Sequence, residues 1–89
     1  MLSPLQHFIL DNAPLFWYVK LEAKIDLSIE AVVETILNYG DMPELKRLFD
    51  IVGIHNVANI FFRQISRPWI NYHPRTVNFF KPYFAKHAQ

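Results

Sequence analysis

The sequence predicts an all-α domain of about four short helices, a compact bundle with an extended arm at its N-terminus. Three observations carry this. Apolar residues recur with helical spacing between punctuation points, with Ile29, Val32, Val33, Ile36 and Leu37 falling at i, i+3, i+4, i+7 and i+8. The two glycines, Gly40 and Gly53, each stand where such a pattern stops. No second alternating run exists to pair with the one segment that reads as a strand, Leu15 to Val19.

The elements follow in order. Residues 1–25 are assigned to the arm, with a short helix from about Leu5 to Leu10 and the segment Leu15-Phe16-Trp17-Tyr18-Val19 laid extended across the rest. Residues 26–89 form the helical core. Asp26 or Ser28 caps the helix that ends at Gly40. Asp41 and Glu44 have capping-box spacing, and Pro43 sits in the first turn, where its missing N–H costs nothing. That helix buries Leu45, Leu48, Phe49 and Val52 and ends at Gly53. A third helix runs from about His55 to Gln64 on an inner stripe of Val57, Ala58, Phe61 and Ile65, with Asn56, Asn59 and Arg63 on its polar side. Pro68 to His73 is a loop. Pro74 opens the last helix, which Pro82 is expected to kink or stop near Phe80.

Eighty-nine residues make one domain, and the absence of cysteine excludes both disulfides and thiolate metal sites. Packing alone must supply stability. The supply is ample, because 52% of the residues are hydrophobic and 16% aromatic. A chain this short cannot hide all eight Phe, two Trp and four Tyr, so an exposed apolar patch is expected, serving a homodimer or another partner. The opening residues carry no secretory signal, and the longest apolar stretch, Ala13 to Val19, is too short to span a membrane. A cytoplasmic protein with no membrane association is the expectation.

Charge is divided along the chain. Residues 1–45 hold Lys20 and Lys24 against Asp11, Glu22, Asp26, Glu30, Glu34, Asp41 and Glu44, a net −5. Residues 46–89 hold Lys46, Arg47, Arg63, Arg67, Arg75, Lys81 and Lys86 against Asp50 alone, a net +6. A basic half of this kind attracts phosphates or an acidic partner, unless the acidic half packs directly on it.

Catalysis finds no support. Ser3, Ser28 and Ser66 lack a glycine-rich elbow, two isolated glycines cannot cradle a phosphate, and the four histidines never fall at metal-ligand spacing. The chain is therefore read as no enzyme, with no catalytic residues, no cofactor and no metal. Two readings remain. In the first, aromatic and arginine anchors form a protein interface through Phe16, Trp17, Arg63, Arg67, Trp69, Tyr72 and Arg75. In the second, the helices flanking Gly53 form a helix-turn-helix. Asn56, Asn59 and Arg63 would then read base edges of DNA while Lys46, Arg47, Arg67 and Arg75 hold phosphates. Phe49, four residues before Gly53, stands where a tight helix crossing normally takes a small side chain.

A run of short motifs adds a resemblance. In order they are Phe16-Trp17, Asp26, Tyr39-Gly40-Asp41, Leu45, Gly53, Arg67, Pro74-Arg75-Thr76 and Asn78-Phe79-Phe80, spread over about residues 15 to 84. This order resembles a family of small bacterial helical domains often encoded beside a nucleotidyltransferase-like abortive-infection toxin. The resemblance implies an antitoxin-like partner role and no catalytic residues. The chain departs from the family's pattern at Tyr18, where an acidic residue is common, at Phe80, where the usual residue is Trp, and in the longer loop from Pro68 to His73.

Overall fold

Five α-helices and two 3₁₀ segments make up the fold in a computed structural model that describes residues 1–88. The helices are α1 (Pro4–Asp11), α2 (Ile29–Tyr39), α3 (Met42–Val52), α4 (Ile54–Ile65) and α5 (Pro74–His87), with the 3₁₀ segments Ala13–Phe16 and Leu21–Asp26 between α1 and α2. The all-helical expectation holds. No strand occurs among the described residues, and no helix among them is long and apolar enough to cross a membrane.

Local chemistry sets most of the boundaries. Ser3 opens α1 with a capping box: its Oγ accepts from the Gln6 N–H at 3.1 Å, and Gln6 Oε1 accepts from the Ser3 N–H at 2.9 Å. Ser28, rather than Asp26, caps α2 by accepting from the Ala31 N–H at 3.2 Å. Glu44 accepts from the Asp41 N–H at 2.9 Å at the start of α3. Gly53 alone separates α3 from α4, with φ 93° and ψ 132°. That region is open to glycine and strained for any other residue.

Gly53→Ala isolates this backbone requirement, because an added Cβ would meet only Asn56 Nδ2, at an ordinary 3.5 Å. The substitution is expected to cost about 1–3 kcal/mol, all of it conformational. Urea unfolding should show a lower midpoint with an unchanged slope. An unchanged midpoint would show that the corner relaxes to a conformation open to any residue.

Within the arm the helix expected at Leu5 to Leu10 is present as α1, and the segment Leu15 to Val19 is where expectation and structure part. It is not extended. Residues 4–11, 13–16 and 21–26 are helical, and Phe16, the last residue of the first 3₁₀ segment, is fully buried. Two ties fold the arm down. Gln6 Nε2 donates to the Ile25 carbonyl at 3.2 Å, joining α1 to the second 3₁₀ segment. Lys24, 7% exposed, donates from Nζ to the carbonyls of Phe16, at 2.7 Å, and Val19. Burying an amine is costly unless hydrogen bonds receive it, and these two carbonyls do.

Packing brings α2, α3 and α4 into mutual contact, with α1 against α3 and α5 against α4. Phe61 of α4 lies at the centre, fully buried, its ring 5.1 Å from Tyr72, 5.4 Å from Phe84 and 6.3 Å from Phe80, centroid to centroid. Phe49 turns toward α5 and packs on Tyr83 and Phe84. Pro82 does not end α5 near Phe80, because the helix continues to His87. An interior proline costs about 3 kcal/mol, and burying a Phe side chain such as Phe84 returns roughly 1.5–3 kcal/mol. Pro82 and Asn78 both face solvent, so water can serve the Asn78 carbonyl that loses its helical donor.

Candidate functional site

Several exposed large apolar side chains lie at the C-terminal end of α2 or on segments tied to it. Trp17 and Tyr18 follow the first 3₁₀ segment, Tyr39 closes α2, Met42 opens α3, Trp69 and Ile70 lie on the loop between α4 and α5, and Phe79 lies on α5. Trp69 is 87% exposed and Trp17 72%. Trp17, Tyr18, Tyr39 and Asn71 line one hollow of about 220 Å³ with Glu34, Thr35 and Asn38. A second hollow of about 310 Å³, on the other side of Gly40, is lined by Met42, Arg75, Phe79 and neighbours. The Tyr39 ring meets His73 edge-on at 5.6 Å, which ties the two together.

One side chain holds this end of the molecule in place. Asn38 Nδ2 donates to the Asn71 carbonyl at 3.1 Å, while its Oδ1 accepts from the His73 N–H at 3.2 Å. The loop carrying Arg67, Trp69 and Ile70 is thereby fastened to α2. Tyr18 is fastened too, through a hydrogen bond between its hydroxyl and the Thr35 hydroxyl.

Two residues expected at a partner interface belong to the core instead. Phe16 is fully buried, and Tyr72 is 6% exposed. Tyr72 sits in a loop, but its ring stacks edge-on against Phe61 and its O–H donates to Gln64 Oε1. Gln64 Nε2 in turn donates to the Glu30 carbonyl at 2.9 Å, so the chain of bonds links the loop, α4 and α2. Burial pushes the Tyr72 phenol well above the ordinary tyrosine range, and the nearby Glu34 carboxylate pushes it the same way. The neutral hydroxyl stays a hydrogen-bond donor as a result.

The remaining expected residues divide into three places. Trp17 and Arg75 each line one of the two hollows, and Arg67 and Trp69 are exposed on the loop between α4 and α5. Lys46 and Arg47 lie on the outer face of α3. Arg47 is engaged there, 3.1 Å from Asp11 and over the Phe8 ring at 5.3 Å. Asn56, Asn59 and Arg63 form one wall of a groove among α1 to α4, and Asn56 Nδ2 also donates to the Val52 carbonyl at 2.8 Å at the end of α3. The join between α3 and α4 is the single residue Gly53, shorter than the three- or four-residue turn of helix-turn-helix pairs.

The acidic half does not neutralise the basic half by direct pairing. Among the described residues, Arg47–Asp11 is the one ion pair within 4.0 Å, and an exposed pair of this type is worth about 0–1 kcal/mol. Also among the described residues, no three His, Cys, Asp or Glu side chains converge as metal ligands do. Tyr18, Tyr39, Met42, Ile70 and Phe79 were not singled out from the sequence as contact residues. For Phe79 a signal existed, since it falls off the stripe of Val77, Phe80 and Phe84.

No protein-family model matches this chain, and no curated protein or solved structure matches it significantly.

Proposed function

We propose that this chain is a non-catalytic protein-interaction module, an antitoxin-like partner of a nucleotidyltransferase-type toxin in a bacterial defence locus. One observation carries the interaction reading: the two tryptophans, 72% and 87% exposed, stand on segments that Asn38 and Thr35 tie to α2. Large aromatics left in water on an ordered scaffold are the usual anchors of an interface. Arg67 and Arg75, exposed and without an acidic partner among the described residues, suit a partner whose contact surface is acidic at the rim. The nucleotidyltransferase identity of the partner rests on the order of motifs from Phe16-Trp17 to Asn78-Phe79-Phe80.

The test is co-purification with the product of the neighbouring gene, washed at about 0.15 M and about 0.5 M salt, where surface charge is progressively screened. A stoichiometric complex is expected to survive both washes. Trp17→Ala with Trp69→Ala should weaken it by about a hundredfold, the loss typical of two interface anchors. Folding should be unaffected, within about 0.5 kcal/mol, because both side chains are in solvent. Arg67→Ala should slow association without changing the salt-resistant fraction. No complex, or a complex indifferent to both tryptophans, overturns the reading. Recovery of nucleic acid that is lost at the higher salt would favour DNA binding instead.

A further inference from the structure

Away from the aromatic end, a groove of about 700 Å³ runs between α1, the start of α2, the end of α3 and α4. Its floor is aliphatic: Leu5, Ile29, Ile51, Val52 and Ile60. Its wall is the polar row Asn56, Asn59 and Arg63, spaced i, i+3 and i+7 along α4 and so spanning about 10 Å. Among the described residues, no acidic side chain and no aromatic ring lines it. Arg63 is the one charged side chain in this lining among the described residues, and it shares the groove with Ile29, the first residue of α2. The Arg63 guanidinium has no carboxylate within 4.0 Å among the described residues.

We propose that this groove binds a free medium-chain carboxylate, its acyl chain on the aliphatic floor and its carboxylate on Arg63. The chemistry of the lining selects this class. A phosphate group collects several cations or a run of backbone N–H groups, and here a single guanidinium meets one negative charge. An aromatic ligand would lack a ring to stack on. A fully apolar ligand would leave Arg63 and Asn59 without a role, whereas a carboxylate accepts a bidentate bond from Arg63 and can accept from Asn59. Grooves between bundle helices, mostly apolar with a few convergent polar groups, are common ligand sites. The inference stands on the groove alone and does not depend on the partner proposed above.

The probe is decanoate, compared with decanol and decyltrimethylammonium, titrated into the isotope-labelled full chain and followed by methyl and amide NMR shifts. Decanoate is expected to bind saturably with a dissociation constant of about 0.1 mM, the strength expected for a dozen or so heavy atoms in an open site. Shifts should fall on Leu5, Ile29, Ile51, Val52 and Ile60. Arg63→Gln should weaken binding about tenfold, toward the affinity of decanol. Asn59→Phe, at an exposed position, should fill the groove and abolish binding while the remaining spectrum stays that of the folded chain. The proposal fails if decyltrimethylammonium binds as tightly as decanoate. It also fails if Arg63→Gln binds decanoate unchanged, if the shifts fall at Trp17 and Trp69, or if no saturable binding is seen.

Discussion

Phe61→Ala is expected to remove most of this domain's stability. The ring is fully buried and touches Tyr72, Phe80 and Phe84, so its removal opens a cavity where the loop, α4 and α5 meet. Truncating a buried Phe costs about 3–5 kcal/mol, and a domain of 89 residues belongs near the low end of the usual range of about 5–15 kcal/mol. The loss therefore approaches the whole stability. Circular dichroism through a urea titration measures it, and Phe79→Ala is the control. Phe79 is a phenylalanine of α5 that is 55% exposed, so its truncation should cost less than about 1 kcal/mol. Similar losses for the two would mean that the core is not centred on Phe61.

Gln64→Leu is expected to cost about 2–3 kcal/mol although the substitution makes a buried position more apolar. Gln64 is the middle of the Tyr72–Gln64–Glu30 chain, and a leucine there leaves the Tyr72 hydroxyl buried without an acceptor. An unsatisfied buried polar group costs about 1–3 kcal/mol, whereas removing both partners of a bond is close to neutral. The double variant Gln64→Leu with Tyr72→Phe should therefore be more stable than Gln64→Leu alone, a coupling that a double-mutant cycle reads directly. Purely additive losses would show that the bond contributes nothing beyond the packing of its two side chains.

The sequence was most informative where structure is set within a few residues. Asp41, Pro43, Glu44 and Gly53 announce α3 because capping and backbone strain act over one turn. Pro82 shows the limit of such local rules, since burial of Phe84 on α4 offsets a cost that the sequence displays and the fold outweighs. The arm escapes local rules for a related reason. Leu15 to Val19 has no periodicity, and the tie that curls it, Lys24 to two carbonyls, joins a charged residue to backbone and leaves no side-chain pattern. Tyr72 was read as an anchor because it stands in a loop. Its acceptor, Gln64, lies on the last turn of a helix and meets it only once the chain has reversed. The groove is a sharper case. Asn56, Asn59 and Arg63 were visible as a polar stripe, but Leu5 and Ile29 come from two other helices, and only their convergence turns a stripe into a wall.

Asn38 has a consequence beyond holding the chain together. Its side chain bonds to Asn71 and His73 on either side of the turn and so fixes the loop that bears Trp69 before any encounter takes place. Ordering a mobile loop during association costs about 0.5–1.5 kcal/mol for each side chain immobilised. Here the folding of the domain has already met much of that entropy. A partner would dock against a surface already in its bound form, so complex lifetime, more than the frequency of productive collisions, would set the affinity. Asn38, through two hydrogen bonds to the loop, would then govern how long the partner stays.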